Sequence, residues 1–219
     1  MRNASLTLLA SRPAWAKLLL NDIAEKKITP QAIPTDIVQK LALIRDKDVS
    51  AMVAKQFGKV RGTTPADKAR EMLRVGKLLK AGKSDPLVGR KVYETTCAKC
   101  HKLFGTGGEV GPDLTGYERS NALYWMENVI DPSAVIREEY MMFVVQTTDG
   151  RTISGLVAGQ DKTTVTLRDQ EGRDTKLSRT RIEDMRASPL SIMPEGQLKA
   201  LKDQEVRDLF AYLMSKSKP

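Results

Sequence analysis

One five-residue stretch constrains this chain more than any other: Cys97-Ala98-Lys99-Cys100-His101. It holds both cysteines and the single histidine of the 219 residues. Cys-x-x-Cys-His is the attachment signature of a c-type haem. Two thiols two residues apart can reach the two vinyl groups on one edge of a porphyrin. The next residue is then carried under the iron, where imidazole is a good ligand. A structural zinc site needs four ligands, typically Cys and His, and the chain has only three such residues. A thioredoxin-like thiol pair belongs near a βαβ pattern, and none surrounds Cys97. No further cysteine remains for a disulfide framework, so packed cores must hold the fold, and a hydrophobic content of 41% suffices for them.

The second axial position needs another residue. No second His exists, so bis-His ligation within the chain is excluded. Methionine is the usual alternative and raises the reduction potential. Nine methionines compete, and most methionines simply fill cores. Met193 stands apart, because Ser191-Ile192-Met193-Pro194 reads as a loop before the last helix and Pro194 restrains its backbone. Met193 is the expected sixth ligand, with Met185 the next candidate.

The rest of the chain reads as three segments. Residues 1–84 look all-helical: Pro13 can open a helix, Thr35-Asp36 can cap the stretch with Ile37, Leu41 and Ile44, and Thr64-Pro65-Ala66-Asp67 resembles a capping box before Met72, Leu73, Leu78 and Leu79. Leu6, Leu9, Leu18, Leu19 and Ile23 read as apolar helix faces. Short amphipathic helices in pairs suggest the end of a helical-repeat array, or an ordinary small bundle. Asp85-Pro86 starts a helix that runs through Leu87, Val88, Val92 and Tyr93 into the Cys motif. Leu103–Gly116, with five glycines and a proline, is a loop, and Ser120-Asn121 can start a helix bearing Leu123, Trp125, Met126 and Val129. The period then changes. Met141–Thr148, Thr152–Val157, Thr163–Arg168, Asp174–Leu177 and Arg181–Ala187 read as short strands, with a hairpin turn at Asp149-Gly150. Five such strands suggest a small barrel over 140–187 that does not ligate haem. Its strand, Asp-Gly-Arg, strand pattern resembles SH3-like or Sm-like barrels. Asp203 is a candidate cap for a last helix with Val206, Leu209, Phe210 and Leu213 on one face.

Several motifs stand in a fixed order: Gly89-Arg90-Lys91-Val92-Tyr93, Cys97–His101, Gly111-Pro112-Asp113-Leu114-Thr115, Asp131-Pro132-Ser133, Met193-Pro194-Glu195-Gly196 and Asp208-Leu209-Phe210-Ala211-Tyr212-Leu213. Together they resemble the planctomycete/verrucomicrobium-type haem-binding domain family over roughly residues 85–219. The resemblance implies a class I cytochrome c fold with an insertion before the Met ligand, as the C-terminal part of larger multidomain proteins. It implies His101 as proximal ligand, with its other ring nitrogen donating to the Pro112 carbonyl, and Gly89 and Tyr212 at the crossing of the first and last cytochrome helices. Met193 lies 92 positions after His101, longer than in simple class I cytochromes, and the β segment accounts for the excess.

The expected fold is therefore mainly α with a small β insert. A helical-repeat-like segment spans 1–84, a cytochrome c domain is split over 85–139 and 188–219, and an SH3/Sm-like barrel is inserted at 140–187. The expected cofactor is one covalent haem c, bound by Cys97, Cys100, His101, Pro112 and Met193, with iron held by His101 and Met193. The expected function is single-electron transfer rather than catalysis, as the electron-accepting module of a dehydrogenase-like protein or toward a separate redox partner. Two other readings compete: a five-coordinate haem enzyme or gas sensor, and a binding module in which haem is secondary. The net charge of +9 is unevenly placed: residues 1–90 hold 18 Lys/Arg against 8 Asp/Glu, a balance of +10, while the remainder holds 18 against 19, a balance of −1. A basic surface can steer an acidic partner, although such charges are more often solvated helix faces. Nucleic acid is not expected, because only Tyr140 and Phe143 stand near the barrel and single-strand binders use several stacking platforms. No apolar run reaches the roughly 18 residues of a membrane span. Since c-type haem is attached outside the bacterial cytoplasm, the resemblance implies the periplasm or an equivalent compartment. Met1-Arg2 with Leu6–Ala10 is too short an apolar stretch for an export signal and is interrupted by Arg12-Pro13, so the expectation is that the sequence is a fragment of a longer chain or that its start was engineered.

Overall fold

A computed structural model describes residues 2–58 and 65–219. The chain forms helices and one five-stranded sheet, and its contacts gather these into two compact units.

The first unit begins with α1 (Arg2–Leu9), α2 (Pro13–Ala24), α3 (Thr35–Leu43) and α4 (Lys47–Phe57). Pro13 sits at the start of α2, where its missing N–H costs nothing. Ala16, Leu19, Leu20 and Ile23 follow at i, i+3, i+4 and i+7, and all four are buried with Ile37, Leu41, Val49 and Val53. Leu18, expected on that face, is off the stripe and 61% exposed. Asp46 caps α4 by accepting from the Asp48 and Val49 N–H groups at 2.9 and 3.0 Å. The Thr64 cap expected for the next helix lies outside the described residues.

Two short strands, β1 (Lys102–Leu103) and β2 (Thr106–Gly107), belong to the second unit. The five-stranded sheet consists of β3 (Met142–Thr147), β4 (Thr152–Gln160), β5 (Thr164–Arg168), β6 (Asp174–Ser178) and β7 (Ile182–Ala187), in the order β6-β5-β4-β3-β7. β3 pairs antiparallel with both β4 and β7, with a register shift at Gln146/Thr147. Val145, Val165, Leu167 and Leu177 form its core, with Phe143, Ile153, Val157, Ile182 and Met185 packed against them. Gly150 takes the left-handed conformation (φ 79°) that the β3–β4 turn needs. Asp149 in that turn accepts from the Thr147 hydroxyl and pairs with Arg151 and Arg181; the Thr147 hydroxyl first, then the two arginines, hold its carboxyl well below the usual carboxylate range. Arg12 donates to the Asp149 carbonyl at 2.7 Å, and the Thr152 N–H donates to Ser11 O at 2.7 Å, so the helices and the sheet of this unit are stitched together.

The second unit holds α5 (Pro65–Lys80), α6 (Pro86–Thr96), α7 (Ala122–Ile130) and α8 (Asp203–Leu213), together with the tip of the β5–β6 hairpin, Arg168–Asp174. Asp85 caps α6, accepting from Leu87 N at 2.8 Å, and Asn121 caps α7 through Tyr124 N at 3.1 Å. Asp203 is the first helical residue of α8 rather than its cap. Glu205 reaches back to the Lys202 N–H at 2.7 Å, which satisfies an orphan donor from inside the helix. Val75, Val92, Tyr93, Leu103, Trp125, Met126, Phe210 and Leu213 share one core. Met72, Leu78 and Leu79 bring α5 onto that core, whereas Leu73 is 67% exposed. Chain order and compactness thus divide the molecule along different lines. α5, within residues 1–84, packs with α6–α8 because its apolar stripe has its buried partners there.

No helix among the described residues is long and apolar enough to cross a membrane.

α6 and α8 cross at Gly89. A Cβ there would stand 1.8 Å from Asp208 O and 3.0 Å from Tyr212 Cβ. The obstacle is backbone and cannot swing aside, so Gly89→Ala forces the helices apart. We expect a loss of about 3 kcal/mol, at the upper end for overpacking, or about 10 °C in Tm for a chain of this size. Thermal denaturation checks this, and an unchanged Tm would show that the crossing yields at little cost.

Candidate haem site

Cys97 ends α6, and the chain then turns tightly: the Cys100 and His101 N–H groups both donate to Cys97 O, at 3.1 and 3.0 Å. Tyr93, one helical turn before Cys97, donates its hydroxyl to His101 O at 2.6 Å and packs its ring 5.3 Å from Tyr212. The motif is therefore anchored to the α6–α8 core. Glycines let the following loop close over it. A Cβ on Gly107 would lie 2.0 Å from His101 O, one on Gly108 2.2 Å from Lys99 O, and one on Gly111 2.5 Å from His101 Cε1. The glycine-rich stretch is thus a close backbone wrap around the Cys motif, with β1 and β2 as a small hairpin inside it.

His101 Nδ1 lies 3.0 Å from Pro112 O. A carbonyl oxygen can only accept, so Nδ1 carries the proton. Burial lowers the His101 pKa and the bond to Pro112 opposes that shift only in part, so the ring is neutral at pH 7. Nε2 then carries a free lone pair, and among the described residues it has no hydrogen-bond partner. A neutral imidazole fixed through Nδ1 is the state required of a metal ligand.

The two thiols are free. Burial pushes Cys97 up to about 12, with the Cys100 charge adding to it. Burial also raises Cys100, opposed by Lys99 and reinforced by Glu171. A reactive dithiol of the thioredoxin kind has the opposite character, with a lowered pKa beside positive groups. Among the described residues, no group of three His, Cys, Asp or Glu converges as a metal cluster would. The thiols and the imidazole do not chelate a common point. They present two sulfurs along one segment and one free ring nitrogen beyond it, which suits a haem linked by its edge. Cys97, Ala98, Phe104, Leu114 and Tyr117 pack against the apolar core beside them.

Residues 88–174 match the family model of cytochrome c. The chain thus contains a cytochrome c domain, a module that binds haem c and transfers electrons to redox partners. The matched residues include Cys97, Cys100, His101 and Pro112, and end before Met193. No curated protein matches the chain.

Met193 is half-buried in the loop before the 3-10 turn Gln197–Ala200, its N–H donating to Ser191 Oγ at 3.1 Å. Of the rival methionines, Met72, Met126 and Met214 belong to the core of the second unit, Met52 to that of α1–α4, and Met185 to the sheet core. Sequence reasoning did not single out Gln170 or Lys68. Gln170 O accepts from Cys100 Sγ at 3.8 Å, and Lys68 pairs with Asp131 and Glu195. Nothing local marks either one, since Gln170 follows an ordinary turn aspartate and Lys68 is one lysine among many on α5.

Proposed function

We propose that the chain is a c-type cytochrome carrying one haem, linked by thioethers to Cys97 and Cys100, with His101 Nε2 and Met193 in the axial positions. When bound, the haem supplies a one-electron iron couple, and the axial pair sets its potential. The observation that carries this reading is the state of His101: neutral, fixed by Pro112, and open at Nε2 directly after the second cysteine. Pro112 keeps the ring in one tautomer and orientation and raises its basicity. Gly107, Gly108 and Gly111 let backbone rather than side chains cover the attachment segment, which helps exclude water. Met193 is supported by its free position in a braced loop, while most competing sulfurs are taken up by cores. With both axial positions filled by the chain, no open coordination site remains for a substrate, and the activity is outer-sphere electron transfer.

On this reading residues 85–139 and 188–219 form a class I cytochrome of the planctomycete/verrucomicrobium type, and 140–187 is an insert. The strand order β7-β3-β4-β5-β6, with a 3-10 turn Arg179–Arg181 before the last strand, supports an SH3/Sm-like barrel for that insert. Residues 1–84 are then a helical-repeat-like segment leading into the cytochrome. The electron donor is a fused dehydrogenase domain or a separate protein with an acidic face, and the compartment is the periplasm or its equivalent.

The test is a redox titration followed optically, on protein matured in a host that attaches haem c. A reversible one-electron transition between two low-spin, six-coordinate spectra is expected. A high-spin ferric spectrum would overturn the axial assignment and favour a five-coordinate enzyme or sensor.

A further inference from the structure

The loop Ser191–Glu195 is held at more points than a surface connection needs. The Ser191 N–H donates to Ser133 Oγ at 3.1 Å, and Gln170 Nε2 donates to Ile192 O at 2.6 Å. Ile192 is buried. Glu195, with its side chain only 10% exposed, meets Lys68 Nζ at 2.8 Å, and the same ammonium pairs with Asp131. Met193 lies between the Gln170 and Lys68 attachments. Burial works to lower the Lys68 pKa, but the hydrogen bonds and charges of Asp131 and Glu195 outweigh it, so the lysine stays charged.

Gln170 is itself fixed. Asp169 Oδ1 accepts from the Glu171 and Arg173 N–H groups, both at 2.9 Å, and Glu171 pairs with Lys99 at 3.5 Å. In the unmodified chain Gln170 O also accepts from the Cys100 thiol; a thioether has no S–H to donate, so in the holoprotein this is a packing contact, and the bond from Gln170 Nε2 to Ile192 O does the bracing. One residue at the β5–β6 tip therefore touches both the haem-attachment cysteine and the methionine loop. The Asp131-Pro132-Ser133 motif gains a role as well, because Asp131 orients Lys68 and Ser133 pins Ser191.

We propose that Lys68 and Gln170 are positioning residues for the axial methionine, bracing the Ser191–Glu195 loop so that Met193 is held in place as an iron ligand. The inference rests on the His/Met reading. Groups that orient a ligand tune its bond, and a loop that must order itself before ligation yields more readily to a competitor. The structure assigns this bracing to two elements outside α6–α8, namely α5 and the hairpin tip.

The experiment uses ferric holoprotein and imidazole, which competes with methionine for iron. The apparent affinity of imidazole scales with the fraction of molecules whose methionine is displaced. Lys68→Met and Gln170→Glu are each expected to tighten imidazole binding about tenfold at temperatures where far-ultraviolet circular dichroism shows the fold intact, and Lys68→Arg to restore the parent affinity. A purely structural role would lower the melting temperature and leave imidazole affinity unchanged below it. Lys68→Met removes the cation from between Glu195, 10% exposed, and Asp131, 30% exposed, and can fail to fold. Gln170→Glu is isosteric and replaces the donor to Ile192 O with an acceptor, so it keeps the test open. Unchanged imidazole affinity in Gln170→Glu, or in a folded Lys68→Met, would overturn the role of that residue. Met193→Ala separates this from the axial assignment. If it leaves the parent spectrum unaltered, the ligand reading itself fails. If it removes methionine ligation while the bracing variants bind imidazole as the parent does, only the positioning inference fails.

Discussion

Replacing Cys97 and Cys100 together by serine is expected to abolish covalent haem, leaving a denatured polypeptide with the mass of the bare chain where the parent exceeds it by one haem. The two sulfurs are the only ones able to form thioethers to vinyl groups, because the chain has no other cysteine. A serine hydroxyl is similar in size but does not make the carbon–sulfur bond. His101 would remain as a ligand, but coordination alone does not survive denaturation. Single variants should keep one thioether and an intermediate yield. The raised thiol pKa of Cys97, which burial pushes up to about 12, means that the unmodified chain holds a protonated, sheltered thiol. Loss of haem should also lower the melting temperature, since the iron–ligand bonds and the buried porphyrin surface that the haem supplies exist only in the folded state. Mass spectrometry of acid-denatured protein decides the matter, and an unmodified parent from a maturation-competent host would end the haem c reading.

Met193→Ala carries the second large effect. We expect loss of the weak long-wavelength sulfur-to-iron absorption of the oxidised form. We also expect a fall in reduction potential on the order of 0.2 V, a quarter of the about 0.8 V that axial ligation spans. The direction follows from chemistry: a thioether favours the ferrous state, so removing it stabilises the ferric one. The substitution leaves the loop's other attachments in place, because they run through Ser191, the Ile192 carbonyl and Glu195 rather than the methionine side chain. The fold should persist, and a spectroelectrochemical titration reads the ligand alone. A spectrum and potential equal to those of the parent would move the assignment to another methionine. Met185 is then the less suitable candidate, because its side chain packs with Val145 and Val165 in the sheet core.

The attachment segment was legible because its chemistry is local. Two thiols and an imidazole within five residues need only a tight turn to act together, and Cys97 O accepting from Cys100 and His101 N–H supplies it. Helix starts at Pro13, Asp85 and Asn121 were legible for the same reason, since a cap depends on residues two or three positions away. The Asp149-Gly150 turn was equally local. Apolar faces were read less well. Leu18, Leu73 and Leu87 look like core residues in sequence but are exposed, because burial depends on which side of a helix finds a partner.

By itself, the sequence determined what the site is made of. Its only two thiols and its only imidazole stand together, and its last helix carries an apolar stripe. The tertiary structure alone decided what surrounds them. It set Pro112 O against His101 Nδ1, brought Gly89 onto Asp208 O, and carried Gln170 from a distant hairpin to Cys100 and Ile192. It also joined Lys68 to Glu195 across 127 positions of chain. Bonds between neighbouring residues follow from covalent geometry and can be read along the chain. Contacts between distant residues depend on how whole elements bury their apolar faces, and no local pattern records that choice.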